Sequence, residues 1–249
     1  MKKAIGVKKG RRFFWRLAFA VTLTIIAAVF YLLFFPNVSR LVKENPQKTA
    51  FMVYREREWE DKGKSYKIRQ RWVPLSRISP HLVRAVVIAE DDKFWRHEGF
   101  DYEAIQEAIE KDLKAGKFKL GGSTISQQLA KNLYLSPAKN PFRKIREAII
   151  TWRMEKTLSK RRILELYLNV IEWGEGVFGA EAAARHYYGK PASLLTSREA
   201  ARLAAVLPNP RRFNPKGNHR YVVRRSNRIY RILARREKQK QALGITGHR

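Results

Sequence analysis

Three acids stand in a row at Glu90, Asp91 and Asp92, in "AVVIAEDDKFWRHEGFD", where an apolar run ends. Helical register puts Glu90 four residues after Val86 and eight after Leu82, on the stripe that the helix must bury. It also falls near the helix C-terminus, where desolvation and the negative end of the macrodipole both favour the protonated acid. A carboxylate whose pKa is raised in this way is basic enough to take a proton from a sugar hydroxyl near neutral pH. The competing reading is a solvated helix end, or acids paired with nearby Arg96.

A second set is "GGSTISQQLAKN", residues 121–132. Gly121 and Gly122 let the backbone turn close to a ligand, Ser123 is placed to cap the following helix, and its free N–H groups suit an anion. Gln127 and Lys131 share one helix face, and Gln128 and Asn132 the next. Amides and an amine over an Ile125, Leu129, Leu133 stripe suit a phosphorylated sugar; the plainer reading is a surface helix after a loop. Arg143 and Glu147 form an i, i+4 pair, which as a surface salt bridge is worth only about 0.3–0.5 kcal/mol and gains weight only in company. In "ILELYLN", Glu165 sits inside an apolar run with Asn169 one turn later, the pattern of a buried, hydrogen-bonded acid that holds helices together. "SPAK", Ser136 to Lys139, matches the S-x-x-K pattern of acyl-serine enzymes, but no S-D-N or K-T-G accompanies it, and chance explains it.

The elements that must position these residues read as mainly α. Ser79-Pro80 opens the helix that carries Glu90, Asp101 caps the next with Gly116 as its stop, Pro141 and Ser159 start two more, and Thr196 with Glu199 forms a capping box. Before them, "AFMVYRERE" and "SYKIRQRWV" flank a turn-like "DKGK" and predict a β-hairpin within a connector, residues 36–78. Leu17 to Phe35 is 19 residues without a charge, close to the ~30 Å of a bilayer core at about 1.5 Å per residue. Seven cations and no acid precede it, so positive-inside bias keeps residues 1–16 in the cytoplasm. An anchor fits better than a cleaved signal peptide, because the run is long and no A-x-A site follows. The expected domains are thus a basic tail 1–16, an anchor 17–35, the connector 36–78, a helical catalytic domain 79–215 and a basic helical tail 216–249.

The chain of 249 residues has 52 Lys and Arg against 22 Asp and Glu, a formal net charge of +30. Such a surface requires anionic company. No zinc-finger or RNP pattern is present and the basic domain would lie across the membrane from the genome, so nucleic acid is not expected as a partner. For most of the arginine-rich run after residue 219, solubility and adhesion to anionic lipid is the plain reading, its apolar positions suiting an amphipathic helix on the core or the membrane surface. The absence of Cys removes disulfides, thiol nucleophiles and Cys metal sites, and no His-x-x-x-His pair supports a zinc hydrolase.

With these residues assembled, the sequence resembles the peptidoglycan glycosyltransferases, the lysozyme-like family found alone or as one half of bifunctional penicillin-binding proteins. Its motif E-D-x-x-F-x-x-H-x-G stands here as Glu90, Asp91, Phe94, His97 and Gly99. G-G-S-T-I-[ST]-Q-Q-x-x-K-N is unbroken from Gly121 to Asn132, R-K-x-x-E is Arg143, Lys144 and Glu147, and I-L-x-x-Y-L-N runs from Ile163 to Asn169. The likeness covers residues 80 to 215 and fits the monofunctional, anchored form.

The resemblance implies a lysozyme-like glycosyltransferase fold behind a single transmembrane helix, in the bacterial inner membrane with the domain on the periplasmic side. It implies polymerisation of lipid II onto a growing glycan strand, with division or elongation proteins as partners. Glu90 is implied as general base and Glu147 as the second essential acid near the donor pyrophosphate. Ser123, Gln127, Gln128, Lys131, Asn132 and Arg143 are implied to bind substrate, with Asp91, Phe94, His97, Gly121, Gly122 and Glu165 in support. Lys139 is implied to bind substrate as well, at a position where many relatives carry Arg, so the charge is kept but the bidentate fork is lost. No cofactor is required, with room for a divalent cation, Mg or Mn, at the phosphates. The segment before the Gly pair, with Phe118 and Leu120, is implied to face the membrane. Two rival readings are a lysozyme-like hydrolase with Glu90 as general acid, and a non-catalytic cationic protein that binds membrane or cell wall.

Overall fold

A computed structural model of the chain describes residues 2–116, 122–137 and 141–243. It has two compact units, Met1–Val38 and Ser39–Arg249. The first is built on one helix, α1 (Lys2–Phe34), with Phe19, Val21, Leu23, Ile25 and Ile26 exposed. Among the described residues, no helix is long and apolar enough to cross a membrane.

The second unit is mainly helical, and it overturns the expected hairpin. "AFMVYRERE" lies in α2 (Ala50–Asp61), capped by the Thr49 side chain, which accepts from the Met52 N–H at 3.1 Å. The residues that decide are Met52 and Trp59, seven apart on one face and buried against Phe178, while Glu58 pairs with Arg55 three residues before it and Lys62 four residues after it. Those spacings satisfy a helix and leave no period-2 face to bury. Of "SYKIRQRWV", only β1 (Arg69–Gln70) is a strand, and it pairs parallel with β3 (Val177–Phe178). β2 (Glu172–Gly174) joins β3 antiparallel, giving the order β1-β3-β2. The stretch after Ser79, read as helices throughout, therefore also supplies two short strands.

The other α-helices of this unit are α3 (Pro80–Glu90), α4 (Tyr102–Ala115), α5 (Ile125–Tyr134), α6 (Pro141–Thr157), α7 (Lys160–Val170), α8 (Ala180–Tyr188), α9 (Ser197–Val206) and α10 (Arg220–Ala242), and α8 packs against all three strands. α3 starts as expected, with Pro80 first and the Ser79 hydroxyl accepting the His81 N–H. Its stripe Leu82, Ala85 and Val86 is fully buried, against α9 and α10. Asp101 caps α4 by accepting the Ala104 N–H at 2.9 Å, and Ser159 caps α7. The cap of α5 is Thr124, not Ser123: its hydroxyl accepts the Gln127 N–H while Gln127 Oε1 accepts the Thr124 N–H at 3.0 Å. Ser123 is exposed, one residue before the cap.

The basic run after residue 219 is a wall of the domain. α10 lies on α9 and α3 and buries Val222, Ile229 and Leu233, each worth about 1.5–3 kcal/mol of apolar transfer. The expected boundary at residue 215 therefore cuts off an element of this unit.

Candidate active site

Glu90 is the last residue of α3, and its side chain is 12% exposed on the wall of a cleft of about 760 Å³. Ser123, Gln128, Lys131 and Arg225 line the same cleft. Gln128 Nε2 donates to Glu90 Oε2 at 3.0 Å, and Arg225 Nη2 donates to Glu90 Oε1 at 3.1 Å. The fully buried Tyr167 hydroxyl donates to Gln128 Oε1 at 2.9 Å, which turns the amide so that its N–H₂ faces Glu90. Burial raises the Glu90 pKa above the ordinary glutamate value, and the Gln128 and Arg225 bonds pull against that rise. Burial likewise pushes the Tyr167 phenol well up, so it stays a donor.

The other two acids each have a separate partner, and none is Arg96. Asp91 is buried, and its Oδ1 accepts from His97 Nε2 at 2.9 Å, while its Oδ2 accepts the Ile125 N–H at 2.9 Å. Gly99 N–H donates to His97 Nδ1 at 3.1 Å, so the proton of the neutral ring lies on Nε2, toward Asp91. Asp91 therefore joins the end of α3 to the positive start of α5, the element that carries Gln128 and Lys131. Gly99 has φ +90°, and a Cβ there would stand 2.9 Å from Glu155 Cγ, so the motif needs glycine. Phe94 is fully buried beneath this turn, with Lys160 Nζ 4.6 Å from its ring centre. Asp92, though half-exposed, is held bidentately by Arg236 of α10 at 2.7 and 2.8 Å.

Glu147 is buried on α6, where Arg143 Nη1 donates to one oxygen at 3.1 Å and Lys144 to the other. It does not line the cleft. Lys131 connects the two acids electrostatically: burial lowers its pKa, and Glu147 and Glu90 each oppose that shift. Arg143 and Glu147 thus act with Lys131 and Lys144 as a group, which their spacing alone does not reveal.

Other expected site residues have structural duties. Gln127 is buried and occupied in the α5 cap, so its amide oxygen does not face a ligand. Asn132 is half-buried one turn beyond Gln128, and Gly122 adjoins Ser123 on the cleft wall. Glu165 Oε2 accepts the Leu75 N–H at 2.9 Å, and Asn169 Oδ1 accepts the Val73 N–H at 3.0 Å, so motif four fastens the segment before α3 as well as its own helix. Gly121, Lys139, Phe118 and Leu120 lie outside the described residues.

Sequence reasoning assigned no role to Tyr167, Arg225 or Arg236. Tyr167 had a signal, being the aromatic in "ILELYLN" on the buried face of α7. The two arginines had none, because α10 is crowded with cations of the same type. Among the described residues, no three His, Asp or Glu side chains gather to hold a metal ion.

The cleft, with one buried and doubly anchored carboxylate and an amine beside it, is the equipment of a group-transfer enzyme. The sequence model of the transglycosylase family matches residues 58–234, and the chain belongs to that family. Its match takes in α10 as far as Ala234, in keeping with the packing. A protein of Nitrosospira multiformis, named biosynthetic peptidoglycan transglycosylase, is 51% identical over 90% of this chain and 96% of its own. One of the same name from Methylobacillus flagellatus is 49% identical over 88% of this chain and 95% of its own. A third, from Dechloromonas aromatica, is 59% identical over 68% and 74%. The family suggested by the four motifs is the family of the chain, and the protein is an enzyme of glycosyl transfer.

Proposed function

We propose that this transglycosylase polymerises lipid II into β-1,4-linked glycan strands of peptidoglycan and releases undecaprenyl pyrophosphate. The observation that carries the reading is Glu90, largely buried on the cleft wall with a hydrogen-bond donor on each oxygen. The acceptor 4-hydroxyl loses its proton to Glu90 as its oxygen attacks the donor anomeric carbon. The bond from that carbon to the pyrophosphate oxygen breaks, and the electron pair leaves with the phosphate, inverting the centre. A pyrophosphate leaves as a stable anion, so the reaction needs a base and cations more than a strong acid. Lys131, Arg143 and Lys144 supply the cations, with Glu147 keeping them in place. Both Glu147 oxygens are already bonded to cations, so this acid does not fit as a ligand for a divalent ion.

The donors on Glu90 lean against the hydrolase reading. A general acid must hold its own proton, which burial of Glu90 favours but the hydrogen bonds from Gln128 and Arg225 oppose. The proposal includes a single-pass inner-membrane anchor at residues 17–35 with the domain in the periplasm, supported by the charge-free run and the cations before it. It would keep the domain where a lipid-linked substrate is confined. Purified protein given labelled lipid II should yield lysozyme-sensitive polymer. Failure to yield polymer from lipid II, with release of soluble sugar from finished wall instead, would overturn the reading in favour of the hydrolase.

A further inference from the structure

Arg225 stands in the arginine run of α10, yet it is turned inward. Its Nη2 donates both to Glu90 Oε1 at 3.1 Å and to the Ala89 carbonyl at 3.0 Å. That carbonyl is one of the last acceptors of α3, so the guanidinium also neutralises the negative end of the helix that presents Glu90. Its Nε is buried with no hydrogen-bond partner. An arginine on a surface helix would ordinarily place its head in water. This one gives up part of its hydration to stay against a carboxylate and leaves one buried donor unpaired, and Arg228 one turn on remains exposed.

Glu90 is therefore fixed by donors from two helices, one per oxygen, Gln128 of α5 and Arg225 of α10. Two bonds define the plane of a carboxylate; one bond leaves it free to rotate about the contact. We propose that Arg225 is a positioning residue for Glu90, holding the carboxylate ionised and aimed at the incoming hydroxyl. The inference rests on Glu90 as the base of the proposed reaction. When Glu90 takes the proton, Arg225 keeps its own five and passes none on. Among the described residues, the other charged or titratable groups beside Glu90 are Lys131 from α5, Tyr167 from α7 and the adjoining Asp91, which His97 holds, with Asp92, Lys93, Asp101 and Glu107 along the same cleft. None of them donates a hydrogen bond to the Glu90 carboxylate.

The test compares Arg225→Ala, Arg225→Lys and, as a control, Arg228→Ala, by polymerisation rate against pH and by ¹³C titration of the Glu90 carboxyl, assigned with Glu90→Gln. Removing the cation favours the protonated acid, so in Arg225→Ala the acid limb of the rate profile and the carboxyl titration both move to higher pH. Its rate falls roughly 10- to 100-fold at pH 7, and the deficit narrows as pH rises. Arg225→Lys keeps the charge without the fork, so its limb stays near that of wild type while its rate falls roughly tenfold. Arg228→Ala behaves as wild type. An equal loss at every pH in Arg225→Ala overturns the proposal, as does an unmoved Glu90 titration. If Arg225→Ala does not fold, a wild-type rate in Arg225→Lys overturns it. Should Glu90→Gln polymerise normally, the base reading fails on its own, and the carboxyl titration still decides whether Arg225 controls Glu90.

Discussion

Gln128 Nε2 donates to Glu90 Oε2 across 3.0 Å, joining residues 38 apart in sequence at the meeting of α3 and α5. The bond has a direction because Tyr167 occupies the amide oxygen. Tyr167→Phe removes that constraint and lets the amide turn its oxygen toward Glu90. Its expected cost is about 1 kcal/mol of stability, the typical value of one hydrogen bond, with a several-fold loss of rate. Gln128→Leu should lose more rate than Tyr167→Phe at similar stability. Urea denaturation and initial rates on labelled lipid II separate the two effects.

Asp91 acts through position. Asp91→Asn turns one acceptor oxygen into a donor, which faces either the His97 Nε2–H or the Ile125 N–H, donors both. One buried donor is left unpaired, at a cost of about 1–3 kcal/mol. The urea midpoint should fall, and the rate with it, because α3 and α5 lose their common anchor. A variant with wild-type midpoint and rate would refute this account of the motif.

Stability in acid should depend on Glu58. Its hydrogen bond to Lys62, with Arg55 and Arg211 alongside, lowers its pKa from 4.5 to about 2, against the effect of burial. A depressed carboxyl pKa stabilises the fold fully above the unfolded value and ceases to do so as pH falls through the folded one. Glu58→Gln should therefore melt below wild type at pH 7. The gap should close between pH 4.5 and about 2. Melting curves across that range test it, and a gap independent of pH would contradict it.

α10 should be indispensable to the fold. Leu233 is fully buried between α10 and its neighbours, and Leu233→Ala should cost about 2–5 kcal/mol. Deleting residues from 216 onward should leave a domain that does not melt cooperatively. Circular dichroism and calorimetry on both variants check this, and a cooperative transition in the truncated chain would show α10 to be dispensable.

Those predictions divide unevenly between what the sequence shows and what it hides. Glu90 was legible because helical register places it on the buried stripe, and Ser79, Asp101 and Ser159 were legible because capping is local chemistry. The hairpin reading rests on aromatic and β-branched content, whereas the Met52 to Trp59 interval and the Glu58 ion pairs favour a helix. Ser123 and Thr124 are adjacent hydroxyl residues that offer the same capping chemistry, and only the Gln127 reciprocal bond separates them. Arg225 and Arg236 were hidden by number. Their value lies in contacts 135 and 144 residues away in sequence, to Glu90 and Asp92, which no local pattern encodes.

The central claim is that Glu90 removes the acceptor proton. The most direct measurement is polymer formation from labelled lipid II by Glu90→Gln, with circular dichroism and melting run alongside. Glutamine keeps the size of the side chain but cannot accept the proton. The account predicts a native fold and a rate lower by roughly 10²- to 10⁴-fold at every pH. Polymer made at the wild-type rate by a folded Glu90→Gln protein would contradict it.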